Sequence, residues 1–235
     1  MKITACYNIY NEKLHILDYL ESVANFVDEI VIVDGAFEGY PDGTGTSTDG
    51  SIDIIHDFML STIGSKLKVK LFTRDSPWPG MSKVERYMAE VDDGDWILRM
   101  NGDEIVESKH YNIRQALEDY VDAGSTFKLP MYQLMEYRPP LGKHYDWIPK
   151  LIQKTPTLKL TNQHIALTND FYVDVAGEKI KYTLNGLGRN RVTPLIANIP
   201  SNIIRVRHMT EHRSPERQQQ NYMWLKHFNT KLRYA

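Results

Sequence analysis

Apolar and polar positions alternate along the first part of the chain between short continuous runs and stretches of helical spacing. Ile3–Tyr7, Val69–Phe72 and Trp96–Met100 are short apolar runs bounded by polar residues, and each predicts a strand. Glu29-Ile-Val-Ile-Val33 is a β-branched run ending at Asp34, the pattern of a strand buried on both faces. Between these runs the period changes. Leu14, Leu17, Leu20 and Ala24 share one helical face after Asn11, a good N-cap. Ile52, Ile55 and Met59 mark a second helix. Val84, Tyr87, Met88 and Val91 mark a third, opened by Ser82-Lys-Val-Glu85 with the spacing of a capping box. Strands alternating with helices imply a parallel, right-handed βαβ sheet over residues 1–105.

The second half reads differently. A helix at Asn112–Ala123 stops at Gly124, and Phe127–Tyr132, Trp147–Gln153 and Ile203–Val206 predict further strands among proline-rich loops. Ser214-Pro215-Glu216 opens a final helix, with Tyr222, Leu225, Phe228 and Leu232 as its inward side. No repeat or linker is visible. The expectation is one domain over 1–235, with a nucleotide-type half at 1–105 and an acceptor-side half at 106–235 that ends in a helix.

Composition narrows the classes. With 42% hydrophobic and 25% charged residues the 235-residue chain is an ordinary globular sequence. Its formal charge of -2 gives no global field to draw nucleic acid or membrane. The C-terminal stretch is locally basic, with Arg205, Arg207, Arg213, Arg217, Lys226, Lys231 and Arg233 against Glu211 and Glu216. That suits a phosphate-bearing ligand or a solvated helix face. The single Cys6 cannot form an intrachain disulfide and favours a reducing compartment. Without a visible signal peptide or spanning segment, the expected location is cytoplasmic, free or peripheral to a membrane.

Candidate chemistry collects at the strand ends, where open α/β sheets bind ligands. Asn8, Asn11 and Glu12 follow the first strand, Asp34 ends the second, and Asn101, Asp103 and Glu104 follow the fourth. Asn101 and Asp103 are two apart, so in extended chain they project to one side, as suits a hard cation with oxygen ligands. The turn after the first strand, Asn8-Ile-Tyr-Asn-Glu12, has no glycine, no Gly-Lys-Ser/Thr loop exists, and Gly186-Leu-Gly188 alone is a weak substitute. Backbone amides therefore do not cradle phosphates here in the usual way. A metal on Asp103, helped by Lys83, Arg86 or Arg207, is the natural replacement.

Taken in order, Tyr7-Asn-Ile-Tyr-Asn-Glu12, Val27–Asp34, Ser47-Thr-Asp-Gly-Ser51 and Asn101-Gly-Asp-Glu104 resemble the landmarks of family 2 glycosyltransferases with the GT-A fold. The resemblance implies a Rossmann-like, mainly parallel central sheet flanked by helices, and an enzyme taking sugar from a nucleoside-diphosphate donor, of UDP type. Tyr7, Asn11, Glu12, Asp34 and Asn101 then fall in the nucleotide site, with Asp34 at the base. Asp103 falls in the motif holding Mn2+ or Mg2+ on the diphosphate, and His208 completes the metal shell. Transfer would invert the anomeric centre, with Glu136, Asp146, His164 and Glu178 as candidate bases. Glycan, lipid-linked glycan, protein and modified nucleic acid all fit as acceptors. Asn101 replaces the family's first aspartate, and Ala36–Thr46 is an insertion that could form a lid or acceptor loop. A catalytic acid motif is not recognisable in the second half. Two rivals stand beside this reading: a sugar nucleotidyltransferase, which wants a glycine-rich basic loop after the first strand, and a degenerate sugar-nucleotide-binding domain.

Overall fold

The computed structural model describes residues 1–41, 43–123, 131–137, 145–154, 159–160, 167–168, 170–175, 178–183, 196–209, 213, 215–216, 218–220 and 222–223. The chain runs β1 (Ile3–Ile9), α1 (Ile16–Ala24), β2 (Glu29–Asp34), α2 (Ser51–Leu60), β3 (Lys68–Phe72), α3 (Met81–Val91) and β4 (Trp96–Asn101). It continues through β5 (Glu104–Glu107), α4 (Ile113–Ala123), β6 (Met131–Tyr137) and β7 (Tyr145–Gln153). Then come β8 (Lys159–Leu160), β9 (Leu167–Thr168), β10 (Asp170–Val175), β11 (Glu178–Thr183), β12 (Ile196–Asn198) and β13 (Arg205–His208).

The main sheet has the order β3-β2-β1-β4-β7-β6-β13-β5, with β12 beside β6. Its first four strands are mutually parallel. Beyond β4 it turns mixed: β7 is antiparallel to β4 and β6, and β5 is antiparallel to β13. Strands β8 and β9, and β10 and β11, form two small separate ladders. This is an α/β architecture with a parallel sheet in its first half, as the alternation of strand and helix patterns anticipates.

Alternation along the strands explains the layering. Ala5, Tyr7 and Ile9 of β1 pack with Ile16, Tyr19 and Leu20 of α1, Ile55 and Phe58 of α2, and Leu117 of α4. Cys6, Val31, Val33 and Ile97 form a second cluster with Trp78 and with Val84 and Met88 of α3. Covered by both clusters, β2 is buried at every position, as its unbroken β-branched run requires.

One connection shapes the rest. Only Gly102 and Asp103 separate β4 from β5, yet β7, β6 and β13 lie between those strands in the sheet. A link that short spans roughly 10 Å, so the sheet curls back on itself and closes beside Asp103. Gly102 permits the closure: a Cβ there would meet the Asn8 carbonyl oxygen at 3.0 Å and Glu12 Cγ at 3.1 Å.

Several local expectations are corrected. Helix α1 starts at Ile16 rather than at Asn11, which takes a left-handed φ of 51°. Its buried stripe is Ile16, Tyr19, Leu20 and Val23, whereas Leu14 and Leu17 are exposed. The capping box on α3 is not made: the helix begins at Met81 without a side-chain cap, and Glu85 instead pairs with Arg99 of β4. Strands β6 and β13 start and end later than expected, β7 starts earlier and ends at Gln153 as expected, and β5 was not anticipated. The 36–46 insertion is packed down rather than held free. The Trp78 N–H donates to the Ala36 carbonyl at 2.7 Å, and Tyr40 sits edge-on against Tyr10 at 5.6 Å. The described residues from 215 to 223 are helical, but Tyr222 is exposed rather than inward; Leu225, Phe228 and Leu232 lie outside the described residues. Among the described residues no helix is long and apolar enough to cross a membrane.

Candidate active site

Two loops at the C-terminal rim of the sheet are stitched together by hydrogen bonds. The Asp34 carboxylate ends β2 and is fully buried. It accepts from the Ser47 N–H at 2.8 Å, the Thr46 hydroxyl at 2.5 Å and the Ser47 hydroxyl. Burial is the largest influence on this carboxyl and raises its pKa above the usual aspartate range despite those donors. Ser47 Oγ in turn accepts the Asn11 N–H at 2.8 Å, and the Thr48 N–H donates to Asn11 Oδ1 at 2.9 Å. The Glu12 N–H donates to Ser51 Oγ and the Lys13 N–H to Asp49, both at 2.9 Å. This explains the left-handed Asn11: its side chain bridges to the 46–51 loop instead of capping α1. Asp34 thus ties the loop after β2 to its own strand, and through Ser47 to the loop after β1.

The second group forms where the sheet closes. Asp103, Glu104, Glu136 and His208 are all buried. Glu104 anchors the turn by accepting from the Asn101 N–H at 2.9 Å and the Asn101 side-chain amide at 2.7 Å. Lys150 grips both of its oxygens, at 2.5 and 2.6 Å. Burial alone would raise the Glu104 carboxyl, but Lys150 and then His208 outweigh it and hold it below the usual range. The Met209 N–H donates to the Asp103 carbonyl at 2.6 Å, fixing the end of β13 to the same turn. Consequently His208 Nδ1 stands 3.2 Å from Asp103 Oδ2, and its Nε2 faces Glu136 Oε1 at 3.8 Å.

Arg213 completes the rim. Its side chain is 12% exposed and forks onto the Glu12 carboxylate, with Nε 3.2 Å from Oε2 and Nη2 on Oε1. Nη1 lies 3.5 Å from Asp103 Oδ2. Burial opposes its charge, but Asp103 and Glu12 more than offset that, so the guanidinium stays protonated. Around the closure the described residues set four buried carboxylates (Glu12, Asp103, Glu104, Glu136) against the two cations Lys150 and Arg213. A buried cluster of carboxylates beside an imidazole is a setting for a divalent cation.

The donors suit such an ion. Glu104, Glu136 and His208 offer ligand atoms that all lie within 4.8 Å of one another and could hold a metal. Asp103 reaches the other ring nitrogen of the same histidine. Carboxylate oxygens and imidazole are ordinary ligands for Mn2+ and similar ions.

Of the residues expected at a site, the structure brings together Asp103, His208, Glu12 and, one hydrogen bond behind them, Asn101. Asn11 and Asp34 lie on the stitched loops. Tyr7 is instead a core residue whose hydroxyl donates to the Tyr19 carbonyl at 3.0 Å. Lys83 and Arg86 are exposed on α3. Arg207 neighbours His208 on β13, so alternation turns it to the opposite face, towards Glu107. Asp146 sits on β7 opposite Glu136, and Glu178 opens β11; their side chains, and all of His164, lie outside the described residues. Lys150 was not anticipated, and Arg213 was named only within the basic C-terminal stretch; its partner Glu12 lies 201 positions away.

No protein-family model matches the chain, and no curated protein matches it. Among solved structures it is similar to S. aureus TarS 1-349, at 18% identity and a TM-score of 0.44, over 60% of this chain and 37% of that one. The same protein in complex with UDP-GlcNAc matches over 36% of its length, and in complex with UDP over 37%, both at a TM-score of 0.44. The chain thus spans little more than a third of the length of these structures.

Proposed function

We propose that this chain is a divalent-metal-dependent glycosyltransferase that moves a sugar from a nucleoside-diphosphate donor to a hydroxyl acceptor with inversion. The observation that carries the reading is the meeting of Asp103 and His208 at 3.2 Å, buried, at the rim where the loops after β1 and β2 are stitched. That rim is where ligands bind in open α/β sheets.

Asp103 and His208 would hold Mn2+ or Mg2+, with Glu136 orienting the histidine from its other nitrogen, as metal-bound imidazoles require. The ion supplies Lewis-acid neutralisation of the leaving diphosphate when bound. Arg213 adds a fixed positive charge beside it. The loops braced by Asp34 and Asn11 would form the wall of the nucleoside site. An acceptor hydroxyl gives its proton to a carboxylate base and attacks the anomeric carbon, while the bond to the diphosphate oxygen breaks. Asp146, set opposite Glu136 in the β6–β7 ladder, is taken as the base.

The test is incubation with Mn2+ and a panel of UDP, GDP and dTDP sugars, following released nucleoside diphosphate. Release that needs metal and is lost in Asp103→Ala supports the proposal. Release of inorganic pyrophosphate would make the protein a nucleotidyltransferase, and full activity in Asp103→Ala would remove the reading altogether.

A further inference from the structure

Arg213 has a role that metal binding alone does not require. Its guanidinium approaches Asp103 Oδ2 at 3.5 Å, the oxygen that also faces His208. A divalent ion on that carboxylate would stand about 2.0–2.5 Å from the same oxygen. The guanidinium and the ion therefore compete for one oxygen and repel each other at close range inside a buried rim. Arg213 is not a loose surface cation that could simply swing away. Its side chain is nearly nine-tenths buried and forked onto Glu12, which is itself buried and held through its N–H to Ser51. A second observation concerns Tyr19. Its hydroxyl is buried without a hydrogen-bond partner, and its charged surroundings are Glu12, Asp103 and Arg213. The ligand-free arrangement thus leaves one donor unsatisfied beside the two acids that Arg213 occupies, an unused interaction that a rearranged rim could make.

We propose that Arg213 is a positioning residue that stands in for part of the metal's charge in the ligand-free protein and keeps the affinity for the bare ion low. A diphosphate arriving with the ion offers the guanidinium a new anionic partner, so the ion is held firmly only together with its anionic ligand. Binding of the two is then coupled, and linkage makes the coupling reciprocal. The inference rests on the reading of Asp103 as a metal ligand.

The experiment titrates Mn2+ alone into the purified protein and follows free ion by electron paramagnetic resonance. Arg213→Gln should bind Mn2+ about tenfold more tightly than wild type or better, because a competing cation is gone and two carboxylates are released. Arg213→Lys, which keeps the charge, should stay close to wild type. Glu12→Gln should move the other way and bind more weakly, since Arg213 then bears on Asp103 alone. Glu12→Gln gives an independent sign should Arg213→Gln fail to fold. Binding by Arg213→Gln no tighter than wild type overturns the proposal. Asp103→Asn separates the two levels: loss of Mn2+ binding keeps the metal reading whatever Arg213 does, whereas unchanged binding overturns both.

Discussion

The two rims of the parallel sheet use buried acids in opposite ways. At the N-terminal rim, Glu29 opens β2 with no exposure and meets cations: Lys70 at 2.8 Å and Lys68 at 3.7 Å. It also accepts the Asp93 N–H at 2.7 Å and the Thr4 hydroxyl at 3.0 Å. At the C-terminal rim of the same strand, Asp34 is equally buried but meets only neutral donors. Asp103, on the rim loop after β4, meets His208 at 3.2 Å and Arg213 at 3.5 Å. One rim is neutralised and holds the sheet together. The other gathers buried carboxylates around a histidine and an arginine.

The sharpest way to break this comparison is to alter one acid on each kind of loop. Asp103→Asn should cut donor-dependent transfer by about a thousandfold, since a Lewis-acid contribution of several kcal/mol goes with it. Its thermal midpoint should fall only modestly, because Arg213 keeps its fork onto Glu12. A large fall in the midpoint with activity retained would make Asp103 a structural acid like Asp34.

Next in size is the division of labour around His208. Two arrangements are open to an ion: Asp103 with Nδ1, or Glu104 and Glu136 with Nε2. In the first, Glu136 only orients the ring, so Glu136→Gln should weaken Mn2+ binding by about tenfold to a hundredfold and leave residual activity. In the second, it should abolish binding outright. Lys150 favours the first, because it already holds both oxygens of Glu104. Calorimetric Mn2+ titration of Glu136→Gln distinguishes the two.

Asp34→Asn should act mainly on stability. An amide offers one acceptor oxygen where three donors now converge, and leaving buried donors unpaired costs about 2–3 kcal/mol. Hydrogen exchange at the Ser47 amide should speed up, while that at the buried strand β4 should keep its order of protection. An unchanged midpoint would mean that the carboxylate does not brace the loop.

What could be read beforehand follows the same divide. The parallel half was legible because each strand's burial is local: the run Glu29–Val33 states by its composition that both faces are covered, and the structure agrees. Asp103 was singled out by its motif and His208 by the family resemblance, and the structure sets them 3.2 Å apart. Asn11, Leu14 and Leu17 misled for a common reason. The loop after β1 answers to Ser47 and Thr48, far along the chain, so helical periodicity was extended over residues that tertiary hydrogen bonds hold in another conformation. Arg207 misled by one position, since alternation on β13 gives the site to His208. Arg213, Lys150 and strand β5 depend on the sheet curling closed, which no stretch of sequence records by itself.

The smallest expected effect tests the neutralised rim. Burial would raise the Glu29 carboxyl, but Lys70, the Asp93 N–H and Thr4 together bring it below the ordinary value of 4.5. A carboxylate whose folded pKa is depressed contributes stability that is complete above its unfolded pKa and is lost as pH falls through the folded one. Wild type should therefore lose stability on acidification below about pH 4.5, and Glu29→Gln should show a shallower loss over that window. Asp34 has the reverse sign: its raised carboxyl favours the folded state as it takes up a proton, so Asp34→Asn should steepen the net acid loss. Urea midpoints from pH 7 down to about 3 measure both slopes. Parallel curves for the two variants would mean that the ends of β2 do not differ in how they hold their charge.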